Sequence, residues 1–221
     1  MVDDPAVARF RERYRREETR GVYRGWFHLA FTSSVSLAVV MLCLLQLDHA
    51  SWLEWLTVPL VFVYSNLVEY LGHRGPMHHP VRGLGLIFFR HTKQHHRFFT
   101  HNEMVFDSSS DFKAVLFPPV LTFFFLGFFG LPMWLLLFYL ATTNVAWLAV
   151  ATATAYFLNY EWLHFAYHCD PQSRIGRFPG VQRLRSLHRE HHNPALMTSY
   201  NFNITYPIGD WLIGTRYKGR N

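Results

Sequence analysis

Two stretches of this chain carry no charged residue. Phe27 to Leu47 holds no Asp, Glu, Lys or Arg, and neither do the 45 residues from Ala114 to Leu158. A helix needs about 20 apolar residues to cross the hydrocarbon core of a bilayer, so a charge-free run of about 18 or more reads as a membrane span. A chain of 221 residues, half of them hydrophobic, has too little remaining sequence to bury such runs in a soluble core. The chain therefore reads as one membrane domain over 1–221. Two cysteines, Cys43 and Cys169, give no disulfide framework and fit a reducing compartment. No signal peptide is expected, because the first 26 residues are Arg-rich and lead into an apolar run without a small-residue cleavage site.

Four spans are predicted, near 27–47, 51–71, 114–129 and 132–158. Gly130-Leu131-Pro132 is the expected turn between the last two, and Asp48-His49-Ala50 the turn between the first two. The 21 Lys and Arg residues then sort cleanly. Seven lie in 1–26, six in 72–113 and eight in 159–221, with none in a span or hairpin turn. The positive-inside rule places those three segments in the cytoplasm, both termini included. Residues 1–26 read as an interfacial amphipathic helix, with Ala6, Val7, Phe10 and Tyr14 against arginines. The net charge of +6 belongs to this topology. No nucleic-acid partner is expected, since the basic residues flank apolar runs instead of interleaving with aromatics in a polar domain. The fold class is an all-α membrane protein: four transmembrane helices as two hairpins, with a cytosolic helical cap formed by 72–113 and 159–221.

The 14 histidines carry the chemistry. His28 and His49 stand alone near the ends of the first span and read as groups with a tyrosine-like interfacial role or as hydrogen-bonded helix-end groups. The other twelve fall on the cytoplasmic side, eleven of them in four clusters: His73 with His78 and His79; His91 with His95 and His96; His164 with His168; His188 with His191 and His192. His101 stands alone. His164 and His168 are four apart, as are His91 and His95, so on a helix their rings share a face about 6 Å apart. His188, His191 and His192 share a face in the same way. Gly75-Pro76 is expected to break the helix between His73 and His78. Neutral imidazole is the commonest ligand of Zn, Cu and Fe, and the near absence of Cys argues against a structural thiolate zinc site or an iron–sulfur cluster. Each cluster is able to chelate one metal, and four together surround two. Glu161 and Glu190 are candidate outer partners that orient an imidazole. Ten nitrogens give two metals five each and leave an open position where O₂ binds a redox metal. Iron suits that role, whereas zinc binds the same ligands without supplying electrons.

At these residues the chain resembles the integral-membrane fatty acid hydroxylase/sterol desaturase superfamily, from about residue 66 to the end. The elements are Glu69-Tyr70-Leu-Gly-His73-Arg74 leading to His78, then His91 to His96 followed by Asp111 and Phe117-Pro118-Pro119, then Tyr160-Glu-Trp-Leu-His164 to His168, then His188 to His192 followed by Asn193-Pro194 and Gly209-Asp210-Trp211-Leu-Ile-Gly214-Thr215. Each element alone is weak; their order between hydrophobic hairpins is specific. The resemblance implies metal ligands at His73, His78, His91, His95, His96, His164, His168, His188, His191 and His192. It implies two iron ions, for which zinc is able to substitute in purified protein, with O₂ as co-substrate and hydroxylation of a lipid or fatty-acyl C–H bond. His79 and His101 have no counterpart. Two departures stand out. Three residues separate His91 from the following pair where two are usual, and Arg97 to Ser110, with Phe98, Phe99, Met104 and Phe106, is long enough to be a substrate lid or a packed loop. No fused electron carrier precedes the first span, so electrons are expected from a separate protein, cytochrome b5-like or a ferredoxin with its reductase. Lacking a C-terminal dilysine signal, the chain is assigned to a bacterial inner membrane ahead of the endoplasmic reticulum. The alternatives are a lipid desaturase or aldehyde-processing relative on the same metals, or a non-catalytic metal-binding or transport protein. A transporter places ligands at mid-membrane, where only Thr142, Thr143 and Asn144 are polar.

Overall fold

The computed structural model describes residues 4–219. Among them the regular elements are helical and no strand forms. Helix α1 spans Pro5–Tyr14, starting from Asp4, whose carboxylate accepts from the Ala6 N–H at 2.7 Å. Proline at the first helical position costs no hydrogen bond. The main helices that follow are α2 (Gly25–Leu45), α3 (Thr57–Gly72), α4 (Pro119–Phe125), α5 (Leu131–Leu140), α6 (Thr143–Tyr167), α7 (Pro179–His191) and α8 (Ile208–Ile213). Four π turns, with i→i+5 hydrogen bonding, interrupt this pattern: Arg15–Thr19, His73–Met77, Phe89–His95 and Leu126–Gly130. The chain forms two compact units, one of residues 26–65 and 117–161, the other of 1–25, 66–116 and 162–221.

The first unit presents an apolar surface. Leu42, Leu60, Phe123, Phe128, Leu136 and Leu140 are all exposed. Two stretches are long and apolar enough to cross a membrane, Gly25–Leu45 and Ser109–Leu140, and only 22% and 11% of their most apolar segments are buried in the protein. A soluble core helix would be covered; these present their side chains outward, as lipid requires. The helices within the unit meet through aromatic pairs, Phe62 with Tyr156 at 5.3 Å and Phe125 with Phe157 at 5.3 Å. His28 is buried and hydrogen-bonds the Phe117 carbonyl at 2.9 Å, whereas the His49 side chain is solvent-exposed in a left-handed turn position.

One expected turn is in the wrong place. The chain does not reverse at Gly130-Leu131-Pro132. It runs on helically from Pro119 to Leu140 and breaks at Ala141, whose φ of −134° and ψ of −121° leave the helical region. The wide turn at Leu126–Gly130, with the Leu131 N–H reaching the Leu126 carbonyl, precedes the proline. Such a turn relieves the clash between a proline ring and the preceding carbonyls, so Pro132 does not break the helix. At the true break, Thr142 Oγ1 accepts from the Val145 N–H at 3.2 Å and Asn144 exchanges hydrogen bonds with the Asp48 backbone at 2.8 and 3.0 Å. Thr142 and Asn144 are thus helix-end residues.

The second unit holds the polar interior. Helix α1 is packed into it: Val7 and Tyr14 are buried, while Ala6 is exposed and Phe10 half-buried. Buried Arg11 donates to the carbonyls of Phe98, Glu103 and Val105 at 2.8 to 3.0 Å. The helix expected to lie on a membrane surface therefore spends much of its apolar face inside the protein. The Arg97–Ser110 segment is a packed loop, with Phe98, Phe99 and Met104 buried. Gly25 sits so close to the Ser109 carbonyl that a Cβ would lie 1.9 Å from its oxygen, which excludes any side chain there. Both cysteines are free and buried.

Candidate metal centre

Ten histidines are buried in this second unit. Gly75 and Pro76 do not end the helix after His73. They lie inside the π turn His73–Met77, and the five-residue spacing brings His73 and His78 to one side with Nε2 atoms 3.2 Å apart. The second π turn, Phe89–His95, does the same for His91 and His96, whose Nε2 atoms lie 3.0 Å apart, and the His96 N–H reaches the His91 carbonyl. The extra residue of this box is absorbed there. In an ordinary α-turn residues four apart align; in a π turn, those five apart do. Ordinary helical spacing handles the rest, with His188 and His192 on α7 at 3.0 Å.

The rings form two groups. His73, His78, His91, His96 and His191 make one; His95, His168, His188 and His192 make the other, and within each group the ligand nitrogens lie within 4.8 Å of one another. In the first, Nε2 atoms approach at 2.8 Å (His73–His91) and 2.9 Å (His78–His191). In the second they approach at 3.1 Å (His95–His192) and 3.2 Å (His168–His188). His164 borders the second group, with its Nε2 3.2 Å from that of His95.

The opposite ring nitrogens settle the tautomer. Nδ1 of His95 donates to the Ala114 carbonyl at 2.8 Å, that of His168 to Met104 at 2.7 Å, that of His191 to Tyr200 at 2.9 Å and that of His192 to Phe99 at 2.7 Å; His73 does so to Phe202. With the proton on Nδ1, each Nε2 presents a bare lone pair. Two lone pairs about 3 Å apart repel unless a cation lies between them. Metal–imidazole bonds of about 2.1 Å at right angles put neighbouring nitrogens roughly 3.0 Å apart, and the observed spacing matches. Protonation does not supply the cation. Burial lowers the pKa of all ten, and neighbouring rings add to this at every one but His191, bringing His95 and His191 to about 4 and His78 to about 2. The residues present fit a pair of metal ions.

A model of the fatty acid hydroxylase family matches residues 58–215. The chain belongs to the fatty acid hydroxylase family. No curated protein and no solved structure gives a significant match. Family membership and the two imidazole groups together make this a metal-dependent lipid oxygenase, and the groups fit the histidine-box di-iron arrangement.

The carboxylates that flank the boxes act at one remove from the rings. Asp210, fully buried, accepts from the N–H groups of Phe202 and Asn203 at 3.0 and 2.8 Å and from Thr215 Oγ1 at 2.7 Å. Glu69 accepts from the Thr205 N–H at 3.0 Å and from the Ile204 N–H. Together they pin the 200–206 loop, whose carbonyls hold His73 and His191. Gly209 lets that loop close: a Cβ there would lie 2.8 Å from Asn203 Oδ1 and 2.9 Å from Tyr70 Cβ. Asp111 is likewise buried and takes Arg15 at 2.8 Å.

The two carboxylates singled out from sequence lie elsewhere. Glu161 is buried and accepts from the Phe117 N–H at 3.3 Å. Glu190 is partly exposed beside Arg189 at 3.9 Å. His79 and His101 fall outside both groups; His79 Nδ1 meets the Arg74 carbonyl at 2.8 Å. Sequence reasoning missed Arg11 and the carbonyls that orient the rings. The only signal for the carbonyls was indirect, in Glu69 and Asp210 flanking the boxes.

Proposed function

We propose that this protein is a di-iron monooxygenase that hydroxylates a lipid or fatty-acyl C–H bond at the cytoplasmic face of a membrane, with four membrane helices and both termini cytoplasmic. The observation that carries the reading is the paired arrangement of Nε2 atoms about 3 Å apart, with five of the ten rings fixed by an Nδ1–carbonyl hydrogen bond. His73, His78, His91, His96 and His191 would hold one iron, and His95, His164, His168, His188 and His192 the other. Two irons, when bound, supply O₂ activation and the oxidising power for C–H cleavage. The balance is one O₂, two electrons and two protons per C–H bond, giving an alcohol and water, with the electrons from a separate carrier protein.

The chain's own residues bind, orient and shield. The carbonyls of Ala114, Met104, Phe99, Tyr200 and Phe202 keep His95, His168, His192, His191 and His73 in one tautomer, so these five rings are set for metal before it binds. Phe99 lies against His168 with ring centroids 4.0 Å apart, and Phe202 against His191 at 5.9 Å. These buried rings keep water from the nitrogens. The test is a lipid comparison of cells expressing the wild type, His168→Ala or nothing. The expected result is a lipid that gains one oxygen atom with the wild type only. A lipid that loses two hydrogens instead would move the assignment to desaturation, and identical lipids in all three would refute it.

A further inference from the structure

A cleft of about 620 Å³ opens on the second unit, away from both imidazole groups in function though built partly from the same π turn. Its walls include Phe10, Arg13, Phe88, Phe89, Lys93 and Arg97. The cations are arranged on aromatic rings. Arg97 and Arg13 both lie over the Phe10 ring, at 4.8 and 5.5 Å from its centroid, and Lys93 over Phe88 at 5.3 Å. The nearby ion pairs are taken up by other residues: Arg11 and Arg15 with Asp107, Arg15 with Asp111, and Lys113 with Glu18. Among the described residues, Arg13, Lys93 and Arg97 have no carboxylate partner. Two guanidiniums over one ring repel each other, and an anion between them removes that cost.

The remaining walls refine the ligand. Glu18 is neutralised by Lys113, at 3.3 Å, and accepts from Gln94 Nε2 at 3.0 Å, so Glu17 alone opposes the three cations. Gln94 is buried, and its Oε1 has no hydrogen-bond partner. A buried acceptor left open suits a ligand hydroxyl. Phe89 is half exposed and half-buried Phe88 adjoins it, which suits an apolar continuation of the ligand. Three cations, an acceptor and an aromatic wall define an amphiphile with a phosphate and a hydroxyl.

We propose that this cleft binds the glycerophosphate headgroup of a membrane lipid, with the phosphate between Arg13, Lys93 and Arg97. The phosphodiester takes the bidentate guanidinium donors, Gln94 Oε1 accepts from a glycerol hydroxyl, and the first acyl carbons lie on Phe88 and Phe89. Lys93 and Gln94 lie between His91 and His95, and Arg97 follows His96, so a headgroup held here steadies the π turn that carries His91 and His95 and ends at His96.

The test uses the full-length metal-loaded protein in a neutral maltoside detergent, with binding read by calorimetry. The probes are dihexanoyl phosphatidylglycerol, dihexanoylglycerol and glycerol 3-phosphate. Saturable binding of the phosphatidylglycerol is expected, with none of the phosphate-free dihexanoylglycerol. The double variant Arg13→Gln/Arg97→Gln should weaken it at least about tenfold, while Arg13→Lys/Arg97→Lys, which keeps the charges but loses the bidentate donors, should weaken it less than the glutamine pair does. Unchanged melting temperature and metal content in both variants show that folding is not what moved. Equal binding by wild type and the glutamine variant would overturn the site. Glycerol 3-phosphate binding as tightly as the lipid would overturn the lipid assignment.

Discussion

The two imidazole groups solve one problem by different means. The five-histidine group gets two of its pairs, His73 with His78 and His91 with His96, from π turns that align residues five apart. The other group draws His188 and His192 from ordinary α-helical spacing, four apart on and just after α7. Their supports also differ in sign. Carboxylates, Asp210 and Glu69, grip backbone N–H groups of the loop that orients His73 and His191. A guanidinium, Arg11, grips carbonyls of the loop whose Phe99 and Met104 orient His192 and His168. The lesson is that ring positions are set by helix period, whereas ring orientation is set by loops that need a buried charge to hold them.

Removing a ring should have the largest effect. His188→Ala is expected to cut lipid oxidation by about 100-fold or more and to lose the metal of its own group, while the five-histidine group keeps its metal; metal analysis of the purified variant checks this. A deletion pair separates the two helix periods. Deleting Arg189 puts His188 two residues before His191, off its face, and shortens its spacing to His192 to three, and should cost activity about as much. Deleting Lys93 leaves a spacing that a regular α-turn aligns, so iron content should hold and activity fall by no more than about tenfold. Equal loss in both deletions would show that the π turn does more than absorb a residue.

The supports come next in size. Asp210→Ala strips two buried N–H groups of their acceptor and should destabilise the protein by about 2–6 kcal/mol, read as a lowered melting temperature, with metal lost first from the five-histidine group. Arg11→Ala removes three carbonyl contacts and should cost about 3 kcal/mol, with the other group affected first. Reversed order of metal loss would break the assignment of supports to groups.

Per ring and per pH unit, the smallest effect is on pH dependence. His95 and His191 titrate near 4 when folded against about 6.5 unfolded. Below pH 6.5 the unfolded chain takes up protons that the folded chain refuses, so stability is lost as pH falls from about 6.5 towards 4, at up to about 1.4 kcal/mol per pH unit for each such ring. Metal-free protein should show a falling urea midpoint over that range. A flat profile would mean that the rings are not buried as neutral groups.

Much of this was legible in the sequence, and the remainder failed for identifiable reasons. The span expected at 27–47 is a helix at Gly25–Leu45, because a charge-free run has few other solutions. The four histidine clusters declared eleven rings through number and spacing, and the family resemblance set His79 aside to leave ten. Pro132 misled because a breaker residue is decisive only when the preceding turn is regular, and here it is wide. The π turns left one trace, the repeated five-residue spacing of His73 to His78 and His91 to His96. The orienting carbonyls left only an indirect trace, Glu69 and Asp210 beside the boxes, since every residue has a carbonyl and only the folded loop decides which faces a ring. Arg11 looked like one more basic residue on an amphipathic helix, and nothing local distinguishes a guanidinium that will be buried.

The central claim is that these ten rings hold two metals, one per group. Iron per chain, counted by elemental analysis with Mössbauer spectroscopy on protein purified without oxygen, tests it most directly. The account predicts two irons per chain in the wild type. A content near zero after reconstitution with iron, or a single iron per chain, would contradict it.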